Sequence, residues 1–531
     1  MQKSKKKISL ALLSVFILIL GMFLGFKFNE EIRGVGIRSK ASALEQIMRL
    51  IDKKYVDTVD LKKIEEETIQ DMLSKLDPHS VFIPAEDMKQ ANEQLEGNFE
   101  GIGIEFYLLN DTIYVVSAIT GGPSEKLGIR SGDKIIKIDD KVVAGKKIAN
   151  KDVTKYLRGI GGSKVKVSIL RKGKKDLIDY TITRGTIPLH SVEAAYMATD
   201  KVGYIKISSF GSTTYDEFFE SIKKLKKEGL KNLIIDLRGN SGGYLSTAIM
   251  ICDELLPDKK LIVYTEGKSS PKKEEYATSA GNFETGKLIV MVDEGSASAS
   301  EIVAGAVQDW DRGIILGRRT FGKGLVQEQA LLSDGSSLRL TVARYYTPTG
   351  RCIQKPYNEG LEAYQSDIYN RYAHGELSDA DSAKIIKKKE FKTPSGKIVY
   401  DGGGISPDVF IPLDTSDYSI YYSKLISEGI LSEFVYSYND KNKESLSNYK
   451  SSSEFIDQFV VTDQILNDLL KYSSKKGLIA SQKDLARSKN SIKTQIKALL
   501  ARIYFKNEGY YKIMKDLDEG ILKAVELLSD N

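Results

Sequence analysis

DEGSASASEIVAGAVQDWDRGIILGRRTFGKGLVQ, from Asp293 to Gln327, decides how the rest of the chain is read. It follows a short apolar run, Leu288 to Val292, and opens on a turn of small residues, Gly295-Ser296-Ala297-Ser298-Ala299-Ser300. A helical pattern from Ser298 to Trp310 carries the chain away. A second apolar run, Ile314 to Leu316, leads to a glycine-flanked lysine in Phe321-Gly322-Lys323-Gly324. Upstream, Val202 to Ile207 and Leu233 to Leu237 are further apolar runs, with helical patterns at Tyr215 to Lys227 and Ser246 to Leu256. Strands alternating with helices in this way imply an α/β layer with a largely parallel sheet.

The same stretch carries chemistry. Any of Ser296, Ser298 and Ser300 suits a helix N-cap. A serine nucleophile at that place gains the positive end of the helix dipole and free N–H groups for a developing oxyanion. The Ala299 N–H is one candidate donor. A second is expected from the glycine loop Asp236-Leu237-Arg238-Gly239-Asn240-Ser241-Gly242-Gly243, which also follows a strand. Ligand sites in open α/β sheets lie outside the carboxyl ends of strands, so the two loops are expected to share a crevice. Lys323 has small and apolar neighbours and little acidic company in the sequence. Burial there disfavours the charged form and makes a base; a lysine in a solvated turn is the plain alternative. The three histidines, His79, His190 and His374, lie far from the serine turn in sequence and read as structural or solvated.

Outward from this core, residues 42 to 76 read as helix, with Leu44, Ile47, Met48, Ile51 and Tyr55 on one face, ended by Asp77-Pro78. A short helix is expected from about Pro84 to Leu95. From Gly97 the texture is one of glycine-punctuated short strands, a β-rich module of roughly 90 residues. Beyond about Pro412 the pattern is helical. Residues 494 to 528 read as a long amphipathic tail broken near Gly509.

At 531 residues the chain holds several domains. The net charge of +6 leaves 78 basic and 72 acidic residues nearly balanced, which gives no case for nucleic acid as a partner. Lys3, Lys5, Lys6 and Lys7 precede an apolar run from Ile8 to Phe28, about the length that spans a bilayer. The expectation is an N-terminal membrane anchor with the bulk of the chain extracytoplasmic. A cleaved signal segment is the alternative, although no A-x-A-like site follows the run. Cys252 and Cys352 offer neither a disulfide framework nor a metal-ligand pattern and read as buried small side chains.

Taken together, Gly-Ser-Ala-Ser-Ala-Ser-Glu at 295–301, Thr-Phe-Gly-Lys-Gly-Leu-Val-Gln at 320–327 and Asp-Leu-Arg-Gly-Asn-Ser-Gly-Gly at 236–243 resemble the S41 family of carboxyl-terminal processing proteases. Gly-Gly-Pro-Ser followed by Gly-Ile-Arg-Ser-Gly-Asp, at 121–133, resembles a PDZ domain. The resemblance implies a mixed α/β protease core with a βαβ-type layer like the ClpP/crotonase fold, plus a β-rich PDZ domain and flanking helical segments. It also implies a serine–lysine dyad without metal or cofactor: Ser298 as nucleophile, Lys323 as base, Gln327 orienting the lysine, and Gly243 and Ala299 as oxyanion hole. Gly101-Ile102-Gly103-Ile104 resembles the loop that holds a substrate's terminal carboxylate while the peptide adds as a strand. Arg158 resembles a residue coupling the PDZ domain to the active site, against a plain surface arginine. Asp309 matches a motif aspartate of lesser standing and is expected to pair with Arg312.

The expected domains are an anchor at 1–28, a helical region at 40–96, a PDZ-like domain at 97–186, a protease core at 187–412 and a helical region at 413–531. The expected function is a serine endopeptidase acting on extracytoplasmic polypeptides with free C-termini, as a homodimer or higher oligomer. A PDZ scaffold on an inactive protease-like core is the alternative, and a crotonase-like thioester enzyme a third reading. Both Ser298 and Lys323 are present, which counts against an inactive core.

Overall fold

The computed structural model describes residues 42–529 apart from Asn110, Thr120 and residues 383–388. The expected anchor, 1–28, lies outside them. Among the described residues no helix is long and apolar enough to cross a membrane. The chain divides into two compact units, 1–72 and 73–531.

In the first unit the single helix expected over 42–76 is two, Ala43–Lys54 and Leu61–Ser74. Ser42 caps the first by accepting the Glu45 N–H, and Tyr55 turns extended to end it. The linker holds β-branched Val56, Thr58 and Val59, which lose side-chain freedom in a helix. Asp60 then caps the second helix through the Lys63 N–H at 3.1 Å. The apolar spacing is continuous, and the caps interrupt it.

In the second unit a strand, Val81–Ile83, precedes the helix Met88–Glu96, which starts later than the expected Pro84. The β-rich module closes a sheet in the order Ile104–Leu109, Thr112–Ala118, Lys134–Ile138, Lys164–Leu170, Ile178–Thr183. Ile113, Ile135, Val167 and Ile182 fill its core. Ile104–Leu109 is an edge strand, and the helix Asn150–Leu157 contributes Val153 and Leu157 to the same core.

The central sheet runs β1 (Val192–Met197), β2 (Val202–Ile207), β3 (Asn232–Asp236), β4 (Leu288–Val292), β5 (Ile314–Gly317), with Val409–Phe410 at the far edge. β1 is antiparallel to β2 and every other pairing is parallel. Alternate residues supply two cores. Ile205, Ile235, Val290 and Val292 face helices α1 (Thr214–Lys227), α2 (Leu245–Asp253) and α3 (Ala299–Asp309). Tyr204, Ile234, Ile289 and Met291 face the chain's last helix, Glu519–Ser529, through Ile521, Ala524 and Leu528. Burial on both faces is why these strands read as continuous apolar runs rather than alternating ones. A second sheet pairs β6 (Leu325–Leu331) with β7 (Ser337–Tyr346), and β7 with both Val81–Ile83 and Leu261–Glu266.

The C-terminal helices pack around Leu425, Phe455, Leu469, Ile492 and Ile496. The long helix α4 (Gln482–Met514) breaks at Phe505 and Lys506, with Lys506 at φ 56°, not at Gly509. Gly509 is buried where an added Cβ would come within 2.8 Å of Phe505 Cβ. The glycine admits the kink; it does not make it. Helix α5 (Glu519–Ser529) follows after a further turn at Asp518.

Candidate active site

The carboxyl ends of β3, β4 and β5 present the glycine loop, the serine turn and the lysine loop side by side. Asp293 Oδ1 joins the first two by accepting the N–H groups of Gly239 (2.8 Å) and Gly295 (3.0 Å). Phe321 N–H donates to Ser296 O at 3.0 Å and brings in the third.

The three serines separate in this setting. Ser296 Oγ donates to Leu237 O at 2.8 Å, and Ser300 Oγ donates to Asn240 O at 2.9 Å, so both tie the turn to the glycine loop. Ser298 makes no side-chain cap hydrogen bond, and it sits at φ 54°, ψ −113°. That conformation is rare for a residue with a Cβ and costs on the order of 1–3 kcal/mol. It is held by the wholly buried helix α3 on one side and by the glycine loop on the other.

Gly242 packs directly on this serine, and Gly243 packs on the backbone of Phe210. A Cβ at Gly242 would lie 2.8 Å from Ser298 Cβ and 3.0 Å from Ala299 N. A Cβ at Gly243 would lie 2.2 Å from Phe210 O. Buried Asn240 shapes the loop, accepting the Gly242 N–H at 2.9 Å and donating to Ile207 O at 3.0 Å. Among the described residues neither the Gly243 nor the Ala299 N–H has an acceptor, so both donors are unengaged.

Glu301, fully buried, ties nucleophile turn to lysine loop. Its carboxylate accepts from Ser298 N (2.8 Å), Lys323 N (2.8 Å), Gly322 N (2.7 Å) and Thr320 Oγ1 (2.5 Å). Burial pushes its pKa up to about 7 against the pull of those donors. Tyr345 OH adds a second tie, donating towards Lys323 O (2.8 Å) and Ser298 O (3.1 Å). A glutamate three residues after Ser298 on an apolar helix is the signal sequence reading passed over: it is a capping position, N3.

Lys323 is half-buried, and burial depresses its pKa, with the charge of Arg339 acting the same way. The expectation of little acidic company is corrected by the fold: Glu301 and Asp77 both oppose the depression. Asp77 is remote in sequence and arrives with the Val81–Ile83 strand. Among the described residues no hydrogen bond joins Ser298 Oγ to Lys323 Nζ. Apo catalytic contacts of this kind commonly tighten only with substrate bound. Gln327, at the start of β6, donates from Nε2 to Thr341 Oγ1 at 3.3 Å.

His79 lies in this neighbourhood, its Nε2 2.8 Å from Tyr364 OH. Burial, then the charge of Lys323, lowers its pKa to about 4, so the ring is neutral. His190 and His374 are exposed. Asp309 does not pair with Arg312. It meets the buried Arg351 at 2.6 Å and takes the Thr349 N–H at 3.0 Å, while Arg312 caps the carbonyls of Leu255, Phe283 and Gly286. Of the cysteines only Cys252 is buried.

In the β-rich module the Gly101-Ile102-Gly103-Ile104 segment leads into the edge strand. Ser124 donates from N (3.1 Å) and Oγ (2.6 Å) to Ile102 O, and Ile119 N–H donates to Gly103 O (2.9 Å). The carbonyls are thus engaged, while the Ile102 and Gly103 N–H groups have no acceptor among the described residues. Arg158, just past the helix Asn150–Leu157, lies 4.3 Å from the Phe99 ring centre and pairs with Glu93.

Residues 201–363 match the model of peptidase family S41, and residues 101–182 that of the PDZ domain. Residues 421–506 match a family of unknown function, DUF8443. The chain is 35% identical over 357 residues to the carboxy-terminal processing protease CtpB of Bacillus subtilis, covering 66% of this chain and 73% of that protein. It is 35% identical over 351 residues to the carboxy-terminal-processing protease of Bartonella bacilliformis, covering 64% and 80%. The chain belongs to peptidase family S41: it is a serine-type, carboxy-terminal processing protease carrying a PDZ domain and a C-terminal helical segment.

Proposed function

We propose that Ser298 is the nucleophile and Lys323 its general base, with Gln327 orienting the lysine and the Ala299 and Gly243 N–H groups receiving the oxyanion. The observation that carries this reading is the pairing of a strained Ser298 with two unengaged N–H donors on a frame that Glu301 shares with Lys323. Neutral Lys323 takes the Ser298 proton as Oγ bonds to the scissile carbonyl carbon. The oxyanion collapses, the C–N bond breaks, and the lysine ammonium returns its proton to the leaving amine. Water, losing a proton to Lys323, then releases the acyl group. Before attack, the lysine side chain swings to meet Ser298 Oγ.

The PDZ domain, 97–186 on this reading, binds a polypeptide C-terminus: the Ile102 and Gly103 N–H groups take the carboxylate and the peptide pairs with the edge strand Ile104–Leu109. Arg158, held by Glu93 and Phe99, joins that domain to the helix Met88–Glu96 and couples peptide binding to the active site. The core, 187–412, takes a ClpP/crotonase-like fold, supported by its parallel βα layer. The helical regions at 40–96 and 413–531 flank it, and the protein assembles as a homodimer or larger. The segment 1–28 anchors the enzyme, placing the remainder on the extracytoplasmic side, where it trims or degrades proteins from their C-termini. The test is cleavage of an unstructured peptide with a free C-terminus: Ser298→Ala and Lys323→Ala each abolish it. Peptide captured without turnover by the wild-type protein would favour a scaffold instead.

A further inference from the structure

Asp77 stands at the far end of a hydrogen-bond chain from the site. It is 7% exposed, in the turn Asp77-Pro78-His79-Ser80 that precedes the strand Val81–Ile83. That strand pairs with β7, and β7 pairs with β6, so Gln327 and Thr341 are register partners. Thr341 Oγ1 donates to Asp77 Oδ1 at 3.0 Å, and Gln327 Nε2 donates to Thr341 Oγ1 at 3.3 Å. The turn is fixed as well: Asp77 accepts from His79 N (2.8 Å), Ser80 N (2.9 Å) and Ser80 Oγ (2.6 Å), and Ser80 Oγ accepts the Thr341 N–H at 3.1 Å.

The polarity of this chain is forced. An ionised carboxylate only accepts, and a threonine hydroxyl has one hydrogen. Burial would raise the Asp77 pKa, but the Ser80, His79 and Thr341 hydrogen bonds outweigh it and hold the group below its ordinary value. Thr341 therefore spends its hydrogen on Asp77 and can only accept from Gln327. The amide must turn Nε2 to Thr341, which leaves Oε1, a pure acceptor, as its other end.

We infer that Asp77 is a positioning residue of the protease: through Thr341 it fixes which end of the Gln327 amide is offered to Lys323. The inference rests on the reading of Gln327 and Lys323 given above. An amide held the other way would turn N–H donors toward a lysine that must itself donate. With Oε1 forward, the amide accepts from the ammonium formed as Ser298 is deprotonated. Asp77 also adds its charge to the field at Lys323, alongside Glu301 from α3, Arg339 from β7 and neutral His79 from its own turn. Asp77 thus favours the protonated lysine.

The experiment is pH-dependent hydrolysis of a soluble peptide by the full chain carrying Thr341→Val, Thr341→Ser, Asp77→Asn or Gln327→Ala. Thr341→Val removes the relay and leaves the Asp77 turn in place. The expected result is a roughly tenfold lower kcat with KM little changed. Thr341→Ser restores the wild-type rate. In Asp77→Asn the acid limb of kcat/KM moves to lower pH, since a negative charge near Lys323 is gone. Melting temperatures identify any variant that fails to fold, and Thr341→Val then carries the test. Wild-type kcat and pH profile in Thr341→Val, with Gln327→Ala impaired, overturns the role of Asp77 alone. Wild-type kinetics in Gln327→Ala overturns the reading of Gln327, and this inference with it.

Discussion

Glu301 Oε2 accepts the Lys323 N–H at 2.8 Å, and the same oxygen accepts the Ser298 N–H at 2.8 Å. A single buried atom thus sets the backbone of the proposed nucleophile against the backbone of the proposed base, although they are contributed by different strand ends.

That carboxylate makes stability depend on pH. Its folded pKa, about 7, lies above the ordinary 4.5, so the protonated form is favoured by folding. The stability this contributes is present below about pH 4.5 and is lost as pH rises through about 7. Its size is on the order of a few kcal/mol. Thermal unfolding of Ser298→Ala protein at pH 5 and pH 8 measures it. Adding Glu301→Gln flattens the difference; an unchanged pH dependence would contradict a buried, titrating Glu301.

As the proposed base, Lys323 works only when neutral. Its pKa is depressed by burial, and below that folded value the ammonium holds no lone pair for Ser298. Hydrolysis therefore appears as pH rises through the folded pKa. Lys323→Arg keeps the charge and loses the base, so kcat falls by at least about 10³-fold at every pH. Steady-state rates over a pH series decide this.

Gly242 is placed where a side chain would enter the oxyanion site. Its φ of 103° is strained for alanine, and the added Cβ would lie 2.8 Å from Ser298 Cβ. Gly242→Ala is expected to lower kcat by about 10²-fold or more, the cost of losing one oxyanion donor. Binding of a C-terminal peptide to the PDZ domain, followed by fluorescence anisotropy, stays at the wild-type level. Loss of both would point to unfolding rather than to the site.

The last helix supports the glycine loop from behind. Arg238, in that loop, pairs with Asp236 at 2.6 Å and with Asp518 at 2.8 Å, just before α5. Asp518→Ala leaves part of a half-buried guanidinium unpaired and is expected to cost about 1–3 kcal/mol. Calorimetry reads this as a lowered Tm. Truncation after Asp518 strips the cover from Ile234, Ile289 and Met291 and is expected to yield insoluble protein.

Much of this was legible in the chain. Four parallel-sheet strands announce themselves as apolar runs because they are buried on both faces, and the serine and lysine loops end two of them. Segments without a clean apolar period were not legible. β1 has a mixed pattern, Val-Glu-Ala-Ala-Tyr-Met, and becomes a strand only because β2 lies beside it. The two N-terminal helices share one periodicity, and only capping at Asp60 divides them.

By itself the sequence determined the class of enzyme, and through the resemblance of two loops it pointed to Ser298 and Lys323 as the reactive pair, since such motifs depend on local pattern. Tertiary structure decided which serine is unoccupied, because Ser296 and Ser300 are taken up by carbonyls more than fifty residues away. It also decided that a buried Glu301 bridges the two loops and that Asp77 reaches Gln327. Those are hydrogen bonds between distant strands, and their partners are set by sheet register and packing, which no local window of sequence contains.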